Sequence, residues 1–476
     1  MSKNLSIKKV LKAVLPLIVG AAIAVVPPPQ GLELNAWLYF ALFAAVITGL
    51  ILEPLPAAAI GVIGVVAATV SGLVFPKPGD AIRWALSGFS NTVVWLIFAA
   101  FLFAYGYNKT GLGKRIALLF IRFLGGRTLG LAYAIGLSDI ALAPFMPSNT
   151  ARGGGTIYPI ISNIPPMYGS RPGDGTERKI GAYIMWNTFA INCVTSSMFI
   201  TALAPNLLVV SLAAQQKITL EWLPWFIGFA PVGLLLVATI PFITYRLYPP
   251  EIKSSPEVPK WASQELAKLG RITAKEIVFL AGVVLALILW TLGTDLIDAT
   301  ATALLVVAIM LVARVFDWRD IISNSAAWNV LVWFGTLVTL ADGLARVGFV
   351  KYAANEFTKV IGGFDATLVL VLIVLFYFFI HYAFASITAH VTAVFPVIIA
   401  TIITFFGQQP LFAAYLLAYT HGIMGVISPY ATGPAPIFYG SGYIKSSEFW
   451  RLGLVFGLLY IAALLVIGIP WLSTLY

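Results

Sequence analysis

The sequence predicts an all-α integral membrane protein of about 11 transmembrane helices plus two re-entrant hairpins, arranged as two inverted repeats. Three observations predict it. The chain is 60% hydrophobic and only 10% charged over 476 residues, with a mean hydropathy of +0.94, which excludes the two or three soluble domains that its length would otherwise allow. Apolar runs of span length follow one another from end to end. Finally, two polar stretches, PFMPSNTARGGGTIYP from Pro144 and ASITAHVTAVFP from Ala385, lie between segments apolar enough for a bilayer and match one another.

A hydrocarbon core of roughly 30 Å asks for about 17 to 25 apolar residues per helix. Such runs lie near 10–26, 36–52, 57–75, 88–107, 181–213, 222–247, 276–295, 299–313, 325–345, 411–443 and 449–472. The first follows the basic start MSKNLSIKKVLK but lacks a small-residue cleavage site before Pro27-Pro28-Pro29, so it reads as a span and not as a signal peptide. Two regions, 128–165 and 363–405, do not fit as single spans. Each is two shorter apolar arms meeting at one of the polar motifs, as in a hairpin that enters and leaves on the same side.

Lysine and arginine test this layout, because they concentrate in short cytoplasmic loops. With the N-terminus inside, the cytoplasmic segments collect Lys3 to Lys12, Lys109 to Arg127, Arg171 to Lys179, Arg246 to Lys275, Arg314, Arg319, Lys445 and Arg451, roughly 22 basic residues against 6 outside. The count stays consistent only if both hairpins are re-entrant, the first opening from the cytoplasm and the second from outside. The net charge of +10 is thereby a matter of topology, and nucleic acid is not an expected partner. A lone cysteine, Cys193, rules out a disulfide framework and a cysteine metal cage. Neither a metal nor a cofactor is expected.

The two motifs align at one offset: Ser148 on Ser386, Thr150 on Thr388, Ala151 on Ala389 and Arg152 on His390, before a one-residue gap brings Pro159 onto Pro396. The match extends further. NTVVWLIF from Asn91 matches NVLVWFGT from Asn329, Thr110-Gly111-Leu112 matches Val347-Gly348-Phe349, and Gly125-Gly126 matches Gly362-Gly363. Between the last two pairs lie amphipathic stretches, with Leu112, Ile116, Leu119, Phe120 and Phe123 opposing Lys114, Arg115 and Arg122, and Phe349, Ala353, Phe357 and Val360 opposing Lys351, Glu356 and Lys359. These read as interfacial helices. The span at 88–107 runs inward and that at 325–345 outward, so the repeats are inverted, the arrangement of secondary transporters. The chain divides into N-terminal spans at 1–85, a first repeat at 86–248, a cytoplasmic linker at 249–274, two spans at 275–322 and a second repeat at 323–476.

Irregular backbone at membrane depth must be buried in protein or line a wet cavity. At the tips, Ser148, Asn149 and Thr150 on one side and Ser386 and Thr388 on the other would cap the returning helices, whose N-termini offer N–H donors and partial positive charge to an anion. Two such ends facing each other suit a small molecule with a carboxylate at each end. After each hairpin comes a broken span: the first near 201–206, with Thr201, Pro205 and Asn206, and the second near 428–436, with Ser428, Thr432, Gly433, Pro434 and Pro436. Thr201, Thr432, Gly433 and Pro434 are the residues expected to complete the substrate site. Asp139, in the first hairpin arm, either relays protons or pairs Arg152. His421 approaches the site and His381 belongs to the second hairpin's incoming arm. No HExxH, carboxylate cluster or serine triad supports an enzyme.

In the SNTARGG tip, the SPYATGPAPIFYGSGY stretch and the paired repeats, nearly the whole chain resembles the divalent anion:sodium symporter family. Within it the likeness is to the exchanger branch: bacterial citrate or tartrate/succinate antiporters and plastid 2-oxoglutarate/malate translocators. The resemblance implies antiport of di- or tricarboxylate anions such as citrate, succinate and malate, an elevator mechanism with scaffold and transport domains, and a homodimer among membrane lipid in a bacterial inner membrane. The second tip departs from sodium-coupled members, which have Asn where this chain has Ile387. Isoleucine offers sodium no side-chain oxygen. Arg152 and His390 are the charge-compensating residues expected in its place, so sodium-independent exchange is the expectation, with a sodium-coupled symporter and an anion channel as alternatives.

Overall fold

The structure, a computed structural model, describes residues 2–361, 363–406 and 410–476. Among these residues it is helical, with one isolated bridge between Arg127 and Ser254. Among the described residues nine helices are long and apolar enough to cross a membrane: Leu34–Leu52, Thr92–Thr110, Thr128–Phe145, Trp222–Leu247, Ala274–Leu292, Ser325–Arg346, Ala366–Ala383, Ile387–Phe405 and Ser446–Leu475. Three of them are hairpin arms. The remaining expected spans are present as shorter apolar helices, Val10–Val25, Ala57–Ser71, Ala204–Gln215, Ala299–Val312 and Pro410–Val426. Two of these are pieces of broken spans: the 3₁₀ turn Ile200–Ala202 separates Gly181–Met198 from Ala204–Gln215, and turns separate Pro410–Val426 from Ala435–Gly440.

The N-terminal helices position the second repeat. Leu34–Leu52 and Ala57–Ser71 pack on Ser325–Arg346 around Tyr39, whose hydroxyl donates to the Leu340 carbonyl at 2.9 Å. The approach is close because Gly61 carries no side chain: a Cβ there would lie 2.1 Å from Thr336 Oγ1. Small residues allow such contacts between apolar helices, where no hydrophobic effect drives association in lipid.

The repeat is visible in the turns. Gly111 ends Thr92–Thr110 at φ 80° and starts Leu112–Leu124, and Gly348 follows Ser325–Arg346 at φ 87° and starts Phe349–Ile361. Both take the left-handed conformation that ends helices and that glycine alone adopts without steric cost. The Asn91–Asn329 match does not carry over as a cap. Asn91 Oδ1 accepts from Val93 and Val94 as the N-cap of its helix, whereas Asn329 lies inside Ser325–Arg346, which Asn324 caps instead. The second helix has gained a turn at its start. Gly362, half of the Gly362-Gly363 correspondence, lies outside the described residues.

The interfacial helices exist, but the face they bury is rotated from the expected one. Leu112–Leu124 buries Leu112, Gly113, Ala117, Leu118 and Ile121, while Leu119 and Phe123 point outward. Phe349–Ile361 likewise buries Phe349, Val350 and Ala354 and exposes Val360. Outward apolar side chains on such helices suit a lipid surface. The linker is more than a solvated connector: it contains a helix, Glu257–Leu269, laid against the interfacial helix Leu112–Leu124. Ser255 Oγ donates to the Gly125 carbonyl at 2.7 Å, and Lys114 pairs with Glu265 at 3.0 Å.

Candidate functional site

Both hairpins double back at the predicted motifs. The first enters as Thr128–Leu142, ends in a 3₁₀ turn at Ala143–Phe145 and returns from Thr150 to Ile157 in π geometry. A π segment widens the helix by one residue per turn and marks functional sites more often than ordinary helix. The glycines in this segment let it press on its neighbours, since a Cβ at Gly154 would lie 2.2 Å from Ile437 Cδ1. The second hairpin enters as Ala366–Phe379 and returns as Ile387–Phe406.

The tips are capped in the same register. Ser148 Oγ accepts from the Ala151 N–H at 3.1 Å and the Ser148 carbonyl from the Arg152 N–H at 2.9 Å. Ser386 Oγ accepts from the Ala389 N–H at 3.4 Å and the Ser386 carbonyl from the His390 N–H at 3.1 Å. Each serine thus relieves an orphan donor at the start of a returning helix, and the one-offset match of the sequence is also a match of hydrogen bonds.

The two tips meet across one cavity of about 250 Å³. Ser148, Asn149, Thr150, Ser386, Ile387, Thr388, Thr432 and Gly433 all line it. Asn149 donates from Nδ2 to Thr432 Oγ1 at 2.7 Å, tying the first tip to the second broken helix. Gly433 lies so close to Thr150 that a Cβ there would fall 1.9 Å from its Oγ1. Sequence reasoning missed several lining residues. Trp333 and Phe334 come from Ser325–Arg346, Phe101 from Thr92–Thr110 and Glu53 from the end of Leu34–Leu52. They are apolar or peripheral positions in otherwise ordinary spans, and no local pattern singles them out.

Two expected site residues lie elsewhere. Thr201 is buried where the first broken helix interrupts itself, between Gly181–Met198 and Ala204–Gln215. Its hydroxyl donates to the Pro144 carbonyl and accepts from Trp222 Nε1, so it fastens the break to the hairpin while its neighbours Leu203, Ala204 and Pro205 line the cavity. Asn206 closes the same break by donating to the Ser196 and Phe199 carbonyls. Pro434 is buried behind Gly433 as the cap of the short helix Ala435–Gly440.

The basic residues behind the tips do not line the cavity. Arg152 is fully buried and every branch of its guanidinium is used: Nε donates to both oxygens of Asp139 at 3.2 Å, Nη1 to the Met146 and Ala202 carbonyls, and Nη2 to Thr195 and Ser196. Asp139 accepts further from Asn192 at 2.9 Å and from Thr195. Of the two roles open to Asp139, the structure shows the pairing with Arg152. A buried pair that satisfies its lone pairs and protons in this way holds a geometry more than it adds stability.

Behind the second tip stands a histidine chain. His381 Nε2 meets the Ala431 carbonyl at 2.8 Å, His381 Nδ1 meets His390 Nδ1 at 3.2 Å, and Tyr377 Oη meets His421 Nε2 at 2.8 Å. A carbonyl only accepts, so His381 donates from Nε2. With both rings neutral, His390 then donates from Nδ1 to His381 Nδ1. That tautomer leaves His390 Nε2 buried without a partner. All three histidines therefore gather behind the second tip as two hydrogen-bonded pairs, joined by the Tyr377 ring, whose centroid lies 4.4 Å from that of His390.

Comparison with known proteins adds to this geometry. A family model described as the sodium:sulfate symporter transmembrane region matches residues 7–476. The L-tartrate/succinate antiporters of Escherichia coli (strain K12) and Shigella sonnei (strain Ss046) are each 45% identical over 471 residues, 96% of this chain and 96% of theirs. Among solved structures, the YdaH transporter of Alcanivorax borkumensis, whose crystal structure is described as having an unusual topology, matches at a TM-score of 0.53 and 15% identity over 83% of this chain and 90% of that one, a likeness of fold alone.

Proposed function

Because the chain belongs to the sodium:sulfate symporter family, the divalent anion:sodium symporters, on its exchanger branch, we propose that it exchanges di- or tricarboxylate anions across a bacterial inner membrane. The observation that carries the reading is the single cavity shared by both hairpin tips. One carboxylate of the substrate would take donors from Ser148, Asn149 and Thr150, the other from Ser386 and Thr388, with Thr432 and the exposed backbone at Gly433 between them. Two helix N-termini add partial positive charge from opposite sides. The relatives' named substrates make tartrate and succinate the first candidates, and citrate and malate present the same groups. Positioning and alternating access suffice, and no covalent step is needed.

Ile387 supports sodium independence, since it occupies the second tip with no side-chain oxygen to offer a hard cation. Arg152 and His390 act at one remove, as the cationic or titratable residue behind each tip. Asp139 already neutralises Arg152, so its charge is paired within the protein. An elevator movement of the tip-bearing repeats against the remaining spans, a homodimer, a lipid-embedded surface and a cytoplasmic N-terminus complete the proposal.

Proteoliposomes test it. Labelled succinate should enter only when the lumen holds an unlabelled dicarboxylate, and at the same rate when potassium replaces sodium. Uptake that follows an imposed sodium gradient into empty vesicles would establish the symporter instead, and currents far above carrier turnover would establish a channel.

A further inference from the structure

Among the described residues lining the tip cavity, Glu53 is the only one with a charged side chain. It does not belong to either hairpin but caps the C-terminus of Leu34–Leu52. Three features set it apart. Its backbone is left-handed, at φ 49° and ψ 54°, where glycine or asparagine is the usual occupant and glutamate is strained. Its side chain is exposed and, among the described residues, has no hydrogen-bond or ion-pair partner. It also borders a site whose other polar side chains are the hydroxyls of serine and threonine, the amide of Asn149 and the indole N–H of Trp333.

A carboxylate is a poor neighbour for a dianion, since like charges repel and lower the affinity of every substrate carboxylate. It is at the same time the strongest acceptor in the cavity, and it can take a hydrogen bond that a hydroxyl or amide takes only weakly. An unsubstituted dicarboxylate carries acceptors alone and meets only the repulsion. A 2-hydroxy dicarboxylate carries a donor and recovers part of the loss. We propose that Glu53 is a specificity-determining residue that favours hydroxylated over unsubstituted dicarboxylates. Sites that hydrogen-bond a substrate hydroxyl discriminate far better than those that merely admit it. The inference rests on the reading of the cavity as a dicarboxylate site.

Calorimetric titration of the full-length protein in detergent with succinate and with tartrate tests it, using Glu53→Gln and Glu53→Ala. Gel filtration and the melting temperature serve as folding controls, because an exposed side chain without partners can be changed with little effect on stability. Glutamine removes the charge and leaves only a weak acceptor, so both acids should bind about threefold to tenfold more tightly, succinate more so than tartrate, and the preference for tartrate should fall by about threefold. Alanine removes both, so the preference for tartrate over succinate should fall by about tenfold. If the wild type binds both acids and neither variant changes either affinity or their ratio by more than about twofold, the role of Glu53 is overturned. If the folded wild type binds neither acid, the dicarboxylate reading of the cavity fails, and the inference fails with it.

Discussion

Removing the Asp139 carboxylate would strand a guanidinium inside the protein, and that asymmetry makes the pair testable. Asp139→Asn and Arg152→Met should each lower stability by about 3–5 kcal/mol, because each leaves one buried charge without its partner. The double variant should recover much of that loss, read as a positive coupling in a thermal-melt cycle in detergent. Additive losses would mean that the two side chains do not depend on one another. At Gly433 the expectation is reversed, with function lost and stability kept. Gly433→Ala puts a methyl group where Thr150 Oγ1 stands, so exchange should fall by at least about tenfold while the melting temperature moves little. Adding Thr150→Ala should restore the backbone approach. Unimpaired exchange in Gly433→Ala would show that this contact is not part of the transport-competent site.

At the scale of elements, the left-handed glycines carry the repeat. Gly111 and Gly348 have open space around the missing Cβ, so alanine at either would meet only backbone strain. Each should cost about 1–2 kcal/mol, and the two costs should be similar. A loss confined to one position would show that the two turns bear different loads. What the sequence made legible here follows the physics of short range. Ser148, Ser386, Gly111 and Gly348 are written locally, because a cap or a turn needs a particular residue at a particular place. The faces of Leu112–Leu124 and Phe349–Ile361 were not legible, because an apolar side chain such as Phe123 satisfies lipid as well as a protein core and its pattern does not say which. The Asp139–Arg152 pair was legible only as one of two options, since its remaining partners Asn192, Thr195 and Ala202 come from another hairpin-distant segment. The short helix Trp318–Ser323 adds a pH test. Burial alone would raise the Asp320 carboxyl, but hydrogen bonds from Lys109, the Asp317 N–H and Tyr105 hold it down at about 2. A depressed carboxyl stabilises the fold above its ordinary value, and the contribution is lost as pH falls through the folded one. Lys109→Met should therefore cost about 1 kcal/mol at neutral pH, with the difference from wild type shrinking between about pH 4 and about pH 2. A gap that persists into acid would assign the loss to packing.

For the whole molecule, inversion is the property on which the two facing tips depend. If the repeats are related by an axis in the membrane plane, residues at matching positions must lie on opposite sides of the bilayer. Lys114 and Lys351 each stand three residues after the left-handed glycine of their repeat, and both are exposed. Basic residues counted along the chain put the first inside and the second outside. The single native cysteine, Cys193, is buried in Gly181–Met198, so introduced thiols can be read against a silent background. In right-side-out vesicles, Lys351→Cys should react with a membrane-impermeant maleimide at once, and Lys114→Cys only after permeabilisation. Labelling of both from one face would make the repeats parallel. The tips would then no longer approach a common cavity from opposite sides, and alternating exposure of one carboxylate site would need a different architecture.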